Sequence, residues 1–310
     1  MAHLRTTARA FLLLALFGLL AGTAAARPPD PFKWRSVKRV QTKAPGKQIV
    51  FPVIGAARLT NSFGDARGQG AHQGEDIMSV RRSLAVAAES GRVKFHIGSG
   101  RAGCMLYLYA ASGWKYLYVH LNNDLTARND NRGGCVHGVA FPKGLKDGQR
   151  VVAGQPIGYV GDSGDANGGE PHLHFEMHRP RGSAVAPYPF LKAAKRLLFH
   201  APAGTFFTLS MTGSVVAVGP QALRLKIGTL RASTMNQTLK KVERSVMLTV
   251  PVGALVERAR AGGVTVPAAL AKAKPGEPVS VWTELAQATP AAQTGKDGAL
   301  AAERILLPAA

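Results

Sequence analysis

Two short motifs in this chain carry side chains that bind metal ions. The first is H-Q-G-E-D at residues 72–76, and the second is P-H-L-H-F at residues 171–175. An H-x-G-x-D paired with a later H-x-H supplies two imidazoles and one carboxylate to a single ion. Three protein ligands of that kind leave a fourth position open for water, which is typical of a catalytic rather than a structural zinc site.

The spacing within each motif supports this interpretation. Residues two apart on a strand point to the same face, so His172 and His174 can both face one pocket. Gly74 argues against a helical pairing of His72 with Asp76, because glycine weakens a helix and permits a sharp bend. Such a bend can turn both side chains inward. The residues alone therefore predict a metal site.

The chain around these motifs resembles the M23 peptidases, also called LytM or lysostaphin-type zinc endopeptidases. The resemblance covers residues 51–191, a little under half of the chain. Its landmarks occur in the family's order, and they are N-S-F-G at 61–64, the H-x-G-x-D, V-A-A-E-S-G-R-V at 86–93, Y-V-H-L at 118–121, G-Q-P-I-G-Y-V-G at 154–161 and the H-x-H. The resemblance implies a zinc enzyme that cuts peptide bonds in bacterial peptidoglycan.

Carried over residue by residue, the resemblance implies that His72, Asp76 and His174 hold Zn²⁺. It also implies that His120 and His172 are catalytic histidines that do not bind the metal. One of them would take a proton from the attacking water, and the other would stabilise the developing oxyanion. Which histidine has which role stays open. The chain has no H-E-x-x-H, so the histidine pair replaces the glutamate base of other zinc peptidases.

Several of these residues also have ordinary interpretations. By pattern alone, His120 only ends an alternating strand, and its catalytic role rests on the resemblance. Glu176 shares strand parity with the H-x-H, so it either orients a ligand or is a solvated strand residue. Glu75 stands where the family carries a small apolar residue, and its charge affects the site only if the side chain points there. The remaining histidines are expected to be solvated or hydrogen-bonded, namely His3, His96, His137, His178 and His200.

The first 26 residues have the pattern of a secretory signal peptide. A basic start precedes an apolar run from Ala10 to Ala21 and an A-x-A cleavage site that ends at Ala26. The apolar run is too short for a stable membrane span, although an uncleaved anchor is the alternative. No cysteine follows it, which argues against a lipid anchor. We therefore expect export to the periplasm or the extracellular space, with no stable membrane span after processing.

Charge indicates the partners of the exported chain. The full sequence contains 39 Lys and Arg against 18 Asp and Glu, a formal net charge of +21. Such a protein is attracted to polyanions, and an exported one meets anionic envelope polymers first. A nucleic-acid partner is not expected, because the chain lacks both a nucleic-acid motif and a basic segment with stacking aromatics. The basic leader at residues 27–48 is either solvated or lies across the substrate groove until it is removed.

The two cysteines, Cys104 and Cys135, lie on either side of the His120 strand. An oxidising compartment favours a disulfide between them, which would stabilise the fold by roughly 3–4 kcal/mol in the chain-entropy model. Two separate thiols are the alternative. Zinc binding by this pair is disfavoured, because the spacing lacks C-x₂-C.

The pattern predicts a mainly β protein with two domains. Residues 49–192 form the antiparallel, LytM-type peptidase domain, with a hairpin from 106–109 and 116–120. The long connection at 122–148 is expected to form one side of the substrate groove. A basic, helical segment is expected to run to His200, and residues 193–204 form a linker.

Residues 205–310 are predicted to form a small β-barrel that loosely resembles an OB fold. Its strands include 223–227, 246–250 and 279–282, with a helical insert at 268–274. This barrel either contacts the wall or the peptidase domain, or only stabilises the protein.

The motifs together predict an exported zinc metalloendopeptidase that hydrolyses peptide cross-links of peptidoglycan. One alternative is a non-enzymatic wall-binding protein that regulates other hydrolases, since some members of the resembled family have lost ligands. In this chain all three ligand positions and both histidine positions are filled, which favours an enzyme. Another alternative is a peptidase of glycine-rich proteins.

Overall fold

Strands dominate the protein. The computed structural model describes residues 48–68 and 70–309. The predicted signal peptide and all but the last residue of the basic leader lie outside the described residues. In the part of the chain that is described, no helix is both long and apolar enough to cross a membrane.

Within residues 48–68 and 70–193, the structure has thirteen strands and one α-helix. These are β1 (Val53–Ile54), β2 (Ala57–Leu59), β3 (Ala66–Arg67), β4 (Gly70–Ala71), β5 (Glu75–Ser79), β6 (Leu84–Val86), β7 (Gly91–Ser99), β8 (Gly103–Ala110), β9 (Lys115–Leu121), β10 (Arg150–Val151), β11 (Pro156–Tyr159), β12 (His172–His178), β13 (Ala184–Val185) and α1 (Tyr188–Ala193).

The main sheet has the order β10-β7-β8-β9-β12-β5-β2, with β13 paired to β12. Each of these pairings is antiparallel, as predicted. The predicted hairpin is confirmed as β8 and β9. Strand β12 lies between β9 and β5, so the H-x-H strand is flanked by the strand of His120 and the strand of Asp76. This order brings the two motifs together.

A second sheet, β1-β6-β11, lies between two hydrophobic cores. Side chains alternate between its faces. Val53 and Ala85 join the core of the main sheet, which includes Phe175. Ile54 and Leu84 join the core of the C-terminal region. Strands buried on both faces are continuously apolar, and β6 is Leu-Ala-Val.

The C-terminal region contains nine strands and a short helix. These are β14 (Phe206–Phe207), β15 (Leu209–Gly219), β16 (Ala222–Ala232), β17 (Leu239–Thr249), β18 (Leu255–Ala259), β19 (Thr265–Pro267), β20 (Pro278–Thr283), β21 (Ala286–Gln287), α2 (Pro290–Thr294) and β22 (Ala302–Leu307).

Seven of these strands form one sheet, the C-terminal sheet, in the order β17-β16-β15-β20-β22-β18-β19. The predicted strands at 223–227 and 279–282 lie in β16 and β20, and the one at 246–250 lies in β17 up to Thr249. A parallel bridge from Thr249 to Ala301 connects β17 to the residue before β22. Strands β17, β16, β15, β20 and β22 are consecutive in this sheet, and the bridge brings the first and the last of them together. The OB-like assignment stays a prediction.

Two predicted helical segments are shorter in the structure than the sequence indicated. Helix α1 ends at Ala193, so the predicted helix does not continue to His200. Lys195 instead pairs with Val50 as a β-bridge, and Leu198 and Phe199 insert into the C-terminal core. The segment assigned as a linker therefore contributes buried side chains. The predicted helical insert at 268–274 is a single 3₁₀ turn at Leu270–Lys272.

Candidate active site

His72, Asp76 and His174 converge at the edge of the main sheet. His72 directly follows β4, Asp76 lies on β5, and His174 lies on β12. His174 pairs with Asp76 in the β12–β5 register, which places their side chains side by side. All three residues are buried, and each offers one ligand atom to a common point. The structure therefore brings together the three residues that the sequence assigned to the metal.

The three candidate ligand atoms lie at short distances from one another. His72 Nε2 lies 2.7 Å from His174 Nδ1, and each of these nitrogens lies 3.1 Å from Asp76 Oδ1. Ligand atoms that each lie about 2.1 Å from a tetrahedral zinc are expected to be about 3.4 Å apart, so the two separations from Asp76 are close to this value and the separation of the two nitrogens is shorter. Two imidazoles and a carboxylate are also ligands that zinc accepts. The donor set thus fits zinc in its chemistry, and its three atoms lie close enough together to share one ion.

The outer atoms of the three ligands are also held. His72 Nδ1 donates to the carbonyl of Ser62 at 2.8 Å, and His174 Nε2 donates to Glu176 Oε1 at 3.1 Å. Arg67 donates to Asp76 Oδ2 at 2.7 Å. Such outer partners select the tautomer of a ligand histidine and orient its ring. Once deprotonated, the inner nitrogens, His72 Nε2 and His174 Nδ1, are the electron-pair donors of the cluster.

The electrostatics of the cluster favour a cation. Burial alone would raise the pKa of Asp76, but hydrogen bonds from His174 and His72 outweigh it and hold the pKa well below its ordinary value. Burial lowers the pKa of His174, but hydrogen bonds to Asp76 and Glu176 outweigh it and raise the pKa to about 9. Both shifts have the same consequence, since positive charge is stabilised between these carboxylates.

His120 and His172 form a pair beside the three ligands. Their ring centroids lie 5.1 Å apart, and His172 Nε2 lies 3.8 Å from Asp76 Oδ1. Each Nδ1 donates to a backbone carbonyl, that of Ser163 for His120 and that of Glu170 for His172. That tautomer leaves Nε2 of each ring without a proton, and so able to accept one.

His120 is held in an unusual state. Its backbone has a φ of +59°, in the left-handed region that few residues other than glycine adopt. Burial, together with the neighbouring His174 and His172, lowers the pKa of His120 to about 3. His120 is therefore a neutral imidazole at neutral pH. Backbone strain of this kind is concentrated at functional sites.

Gly74 is required by space rather than by a bend alone. A Cβ at this position would lie 2.8 Å from Cε1 and Nε2 of His174 and 2.8 Å from the carbonyl oxygen of Phe175. Real Cβ atoms do not approach so closely, so the His174 ring packs directly on the backbone at Gly74. The H-x-G-x-D motif thus supplies two candidate ligand side chains and the backbone surface on which the third packs.

The Glu75 side chain points away from the metal position. Its carboxylate accepts hydrogen bonds from three successive backbone amides, those of Thr60, Asn61 and Ser62, at 2.6–3.2 Å. Three convergent amides form a nest that suits an anion. Glu75 therefore holds the loop whose Ser62 carbonyl orients His72. Burial raises the pKa of Glu75, and the amide hydrogen bonds oppose that shift.

Glu176 is not a solvated strand residue, and that alternative was wrong. The residue is 5% exposed, and its two oxygens bind His174 Nε2 and, at 2.6 Å, His178 Nε2. His178 is thus a hydrogen-bonded histidine, as expected. His96 packs edge-on against Tyr107, away from the cluster. His3 lies outside the described residues.

Sequence reasoning missed the groups that position the cluster from loops. Arg67 on Asp76, and the carbonyls of Ser62 and Ser163 on the two histidines His72 and His120, were not assigned. Only Ser62 lay within a noted landmark. The disulfide between Cys104 and Cys135 is confirmed, and it ties the start of β8 to the long connection after β9.

Comparison with known proteins indicates the family. Residues 135–187 match the model of peptidase family M23, a stretch that contains His172 and His174. This part of the chain is thus similar to peptidase family M23. An L-Ala–D-Glu endopeptidase of Bacillus subtilis (strain 168) is 33% identical over 147 residues, which are 44% of this chain and 40% of that protein. The chain thus spans less than half the length of this curated relative.

Solved structures of M23-type peptidases are also similar. The catalytic domain of lysostaphin from Staphylococcus simulans is 26% identical, and the match covers 42% of this chain and 86% of that one, with a TM-score of 0.32. A zinc-containing peptidase from Vibrio cholerae is 26% identical, and the match covers 47% of this chain and 40% of that one, with a TM-score of 0.35.

Proposed function

We propose that this protein is an exported, zinc-dependent metalloendopeptidase that hydrolyses peptide bonds of bacterial peptidoglycan. The observation that carries the proposal is the convergence of two sets of side chains. His72, Asp76 and His174 direct three candidate ligand atoms at one point, and the pair His120 and His172 lies beside them. An M23-like domain with a full set of these groups has what the hydrolysis of an amide requires.

The chemistry divides between the two sets. When bound, zinc supplies Lewis acidity, which polarises the scissile carbonyl and acidifies the attacking water. A neutral imidazole of the pair, His120 or His172, accepts the proton of that water through Nε2. The other donates a hydrogen bond from Nε2 to the developing oxyanion in its protonated form, because its Nδ1 proton is bound to a backbone carbonyl. The carbonyls of Ser163 and Glu170 hold both rings in place throughout.

The substrate and the location follow from different observations. The curated relative is an L-Ala–D-Glu endopeptidase, so a bond next to an acidic residue of a wall peptide is the first to test. Export is supported by the N-terminal pattern and by the Cys104–Cys135 disulfide, because disulfides persist in oxidising compartments. The net charge of +21 suits an anionic envelope.

The test is to incubate zinc-loaded residues 27–310 with peptidoglycan sacculi and to identify the released fragments by mass spectrometry. His174→Ala is the inactive variant, and His96→Ala is the matched control, because His96 lies outside the cluster. We expect the wild type and His96→Ala to release the same fragments and His174→Ala to release none. No release by the wild type, even after removal of residues 27–48, would contradict the proposal.

A further inference from the structure

A groove of about 690 Å³ lies beside the candidate active site. One wall belongs to the M23-like domain and includes Met78 and Pro171. Met78 pairs with His172 in the β5–β12 register, and Pro171 directly precedes His172. The opposite wall includes Lys241 and Arg244 of β17. The groove is therefore lined by two neighbours of His172, one in sequence and one in the sheet.

Cationic side chains outnumber carboxylates in this groove. Its cationic residues are Arg58, Arg81, Arg196, Lys241 and Arg244, and its acidic residues are Glu170 and Glu243. Arg58 pairs with Glu170 at 3.3 Å, and Arg81 pairs with two buried aspartates behind the groove. Over the described ranges, no carboxylate lies within ion-pair distance of the other three cations.

Arg196 and Arg244 are neighbours, and both are partly buried. The Arg196 guanidinium lies over the Phe51 ring, 3.6 Å from its centroid. Arg244 donates to the carbonyl of Thr294 at 2.9 Å and to that of Arg196 at 3.4 Å. Burial lowers the pKa of both guanidinium groups, and the charge of Arg196 lowers that of Arg244 further. Two adjacent, partly buried cations destabilise each other unless an anion compensates them.

The strand that carries Arg244 is irregular at this wall. Lys241 and Glu243 have φ values of +52° and +51°, although they lie inside β17 and neither is glycine. The pairing of β16 with β17 shifts its register over the same stretch, between Ile227 and Thr229. Left-handed backbone at such residues costs about 1–3 kcal/mol each and is concentrated at ligand sites. The irregularity coincides with the groove, while the rest of β17 is a regular strand.

We infer that this groove is an anion subsite, in which Arg196 and Arg244 bind a carboxylate of the peptide substrate while its scissile bond lies at the histidine cluster. The inference rests on the proposed function and names the substrate class of that site, an acidic peptide. Planar guanidinium groups match a carboxylate with two parallel hydrogen bonds. The groove adjoins His172, so one extended peptide occupies both places.

The test compares two peptides that differ only in charge. One contains L-Ala–D-Glu and the other L-Ala–D-Gln at the same position. Binding is measured by calorimetry on the full chain carrying His120→Ala, so that neither peptide is consumed. We expect the acidic peptide to bind at least about tenfold more tightly, as a charged hydrogen-bonded contact provides. In the same background, Arg244→Gln should bring the ratio to about one, while Arg231→Gln should leave it unchanged.

The controls separate the possible outcomes. Arg231 is exposed on β16 of the same sheet and lies outside the groove, so it tests for a general charge effect. Lys241→Gln removes an exposed cation of the groove and should lower the ratio of the two peptide affinities about threefold. This second variant keeps the test valid if Arg244→Gln proves to be less stable than the wild type. Inorganic phosphate is added as a competitor in a separate arm.

Equal binding of the two peptides, no binding of either, or a ratio that survives Arg244→Gln would overturn the subsite. Binding of phosphate that depends on Arg244 without any preference for the acidic peptide would overturn it as well. Cleavage of sacculi by the wild type is scored separately. A preference for the acidic peptide without cleavage of sacculi would contradict the proposed function but support the subsite. Cleavage of sacculi without a preference for the acidic peptide would support the proposed function but contradict the subsite.

Discussion

Nε2 of His174 donates a hydrogen bond to Oε1 of Glu176 across 3.1 Å, in a place where both residues are buried. The other oxygen of Glu176 accepts from His178. Burial alone would raise the pKa of Glu176, but hydrogen bonds from His174 and His178 outweigh it and lower the pKa to about 2. Glu176 is therefore ionised at neutral pH, and its charge makes His174 a better electron-pair donor at Nδ1.

Glu176→Gln should weaken zinc binding by about 10–100-fold, as loss of an outer partner does at other sites. The amide can still accept from His174, but the charge is lost. Zinc affinity is measured by competition with a chromogenic chelator, and excess zinc should restore most turnover. Glu303→Gln, at an exposed position of β22, is the matched control. Unchanged zinc affinity in Glu176→Gln would show that the contact only packs the strand.

His174→Ala and His120→Ala should separate metal binding from turnover. His174→Ala removes a ligand atom and should abolish zinc retention and activity together. His120→Ala leaves the three ligand atoms in place and should keep one zinc per chain while losing about 10²–10⁴-fold of turnover, the usual contribution of a general acid or base. Metal content by mass spectrometry and cleavage of sacculi are measured on the same samples.

A zinc-free His120→Ala protein would contradict this division of roles. So would a His120→Ala variant that cleaves sacculi at the rate of the wild type.

Gly74→Ala should disrupt the site although it removes no functional group. The added Cβ would lie 2.8 Å from the His174 ring and from the Phe175 carbonyl, so the ring must move. We expect a loss of zinc affinity of about 100-fold or more, because a displaced ligand no longer meets the other two. Gly68→Ala is the control, since a Cβ there meets nothing within 4 Å. If both variants bind zinc like the wild type, the close packing at Gly74 has no role in the site.

Period-two spacing was enough to predict that His172 and His174 share a face, because strand geometry determines it. The same parity includes Glu176 and His178, yet the burial of Glu176 depends on residues distant in sequence. Alternation of apolar residues in β8 and β9 likewise predicted their hairpin.

The loop contacts could not be predicted in this way. Arg67 reaches Asp76 from the two-residue strand β3, and Ser62 faces His72 because Glu75 binds the amides of its loop. No local pattern specifies such backbone geometry, since it depends on tertiary packing. The helix expected to extend to His200 failed for a related reason. The apolar residues Leu198 and Phe199 are buried in the C-terminal core, so tertiary packing rather than helix propensity determines the backbone there.

Replacing the disulfide with Cys104→Ser and Cys135→Ser should lower the free energy of unfolding by roughly 3–4 kcal/mol in the chain-entropy model. The bond closes a loop with a sequence separation of 31 and anchors the connection after β9. Urea unfolding followed by tryptophan fluorescence measures the change. Reduced wild type should unfold like the double variant. If oxidised and reduced wild type unfold at the same urea concentration, the bond adds no stability.

Removal of zinc should lower the melting temperature of the wild type. A ligand that binds only the folded state stabilises it by about 4 kcal/mol at a thousand times its dissociation constant, which corresponds to a shift of roughly 8–16 °C for a domain of this size. Calorimetry with EDTA and then with added zinc measures the shift and its reversal. His174→Ala should melt at one temperature under both conditions, because it lacks a ligand atom. If EDTA lowers the melting temperature of His174→Ala as much as that of the wild type, the metal binds outside the cluster of His72, Asp76 and His174.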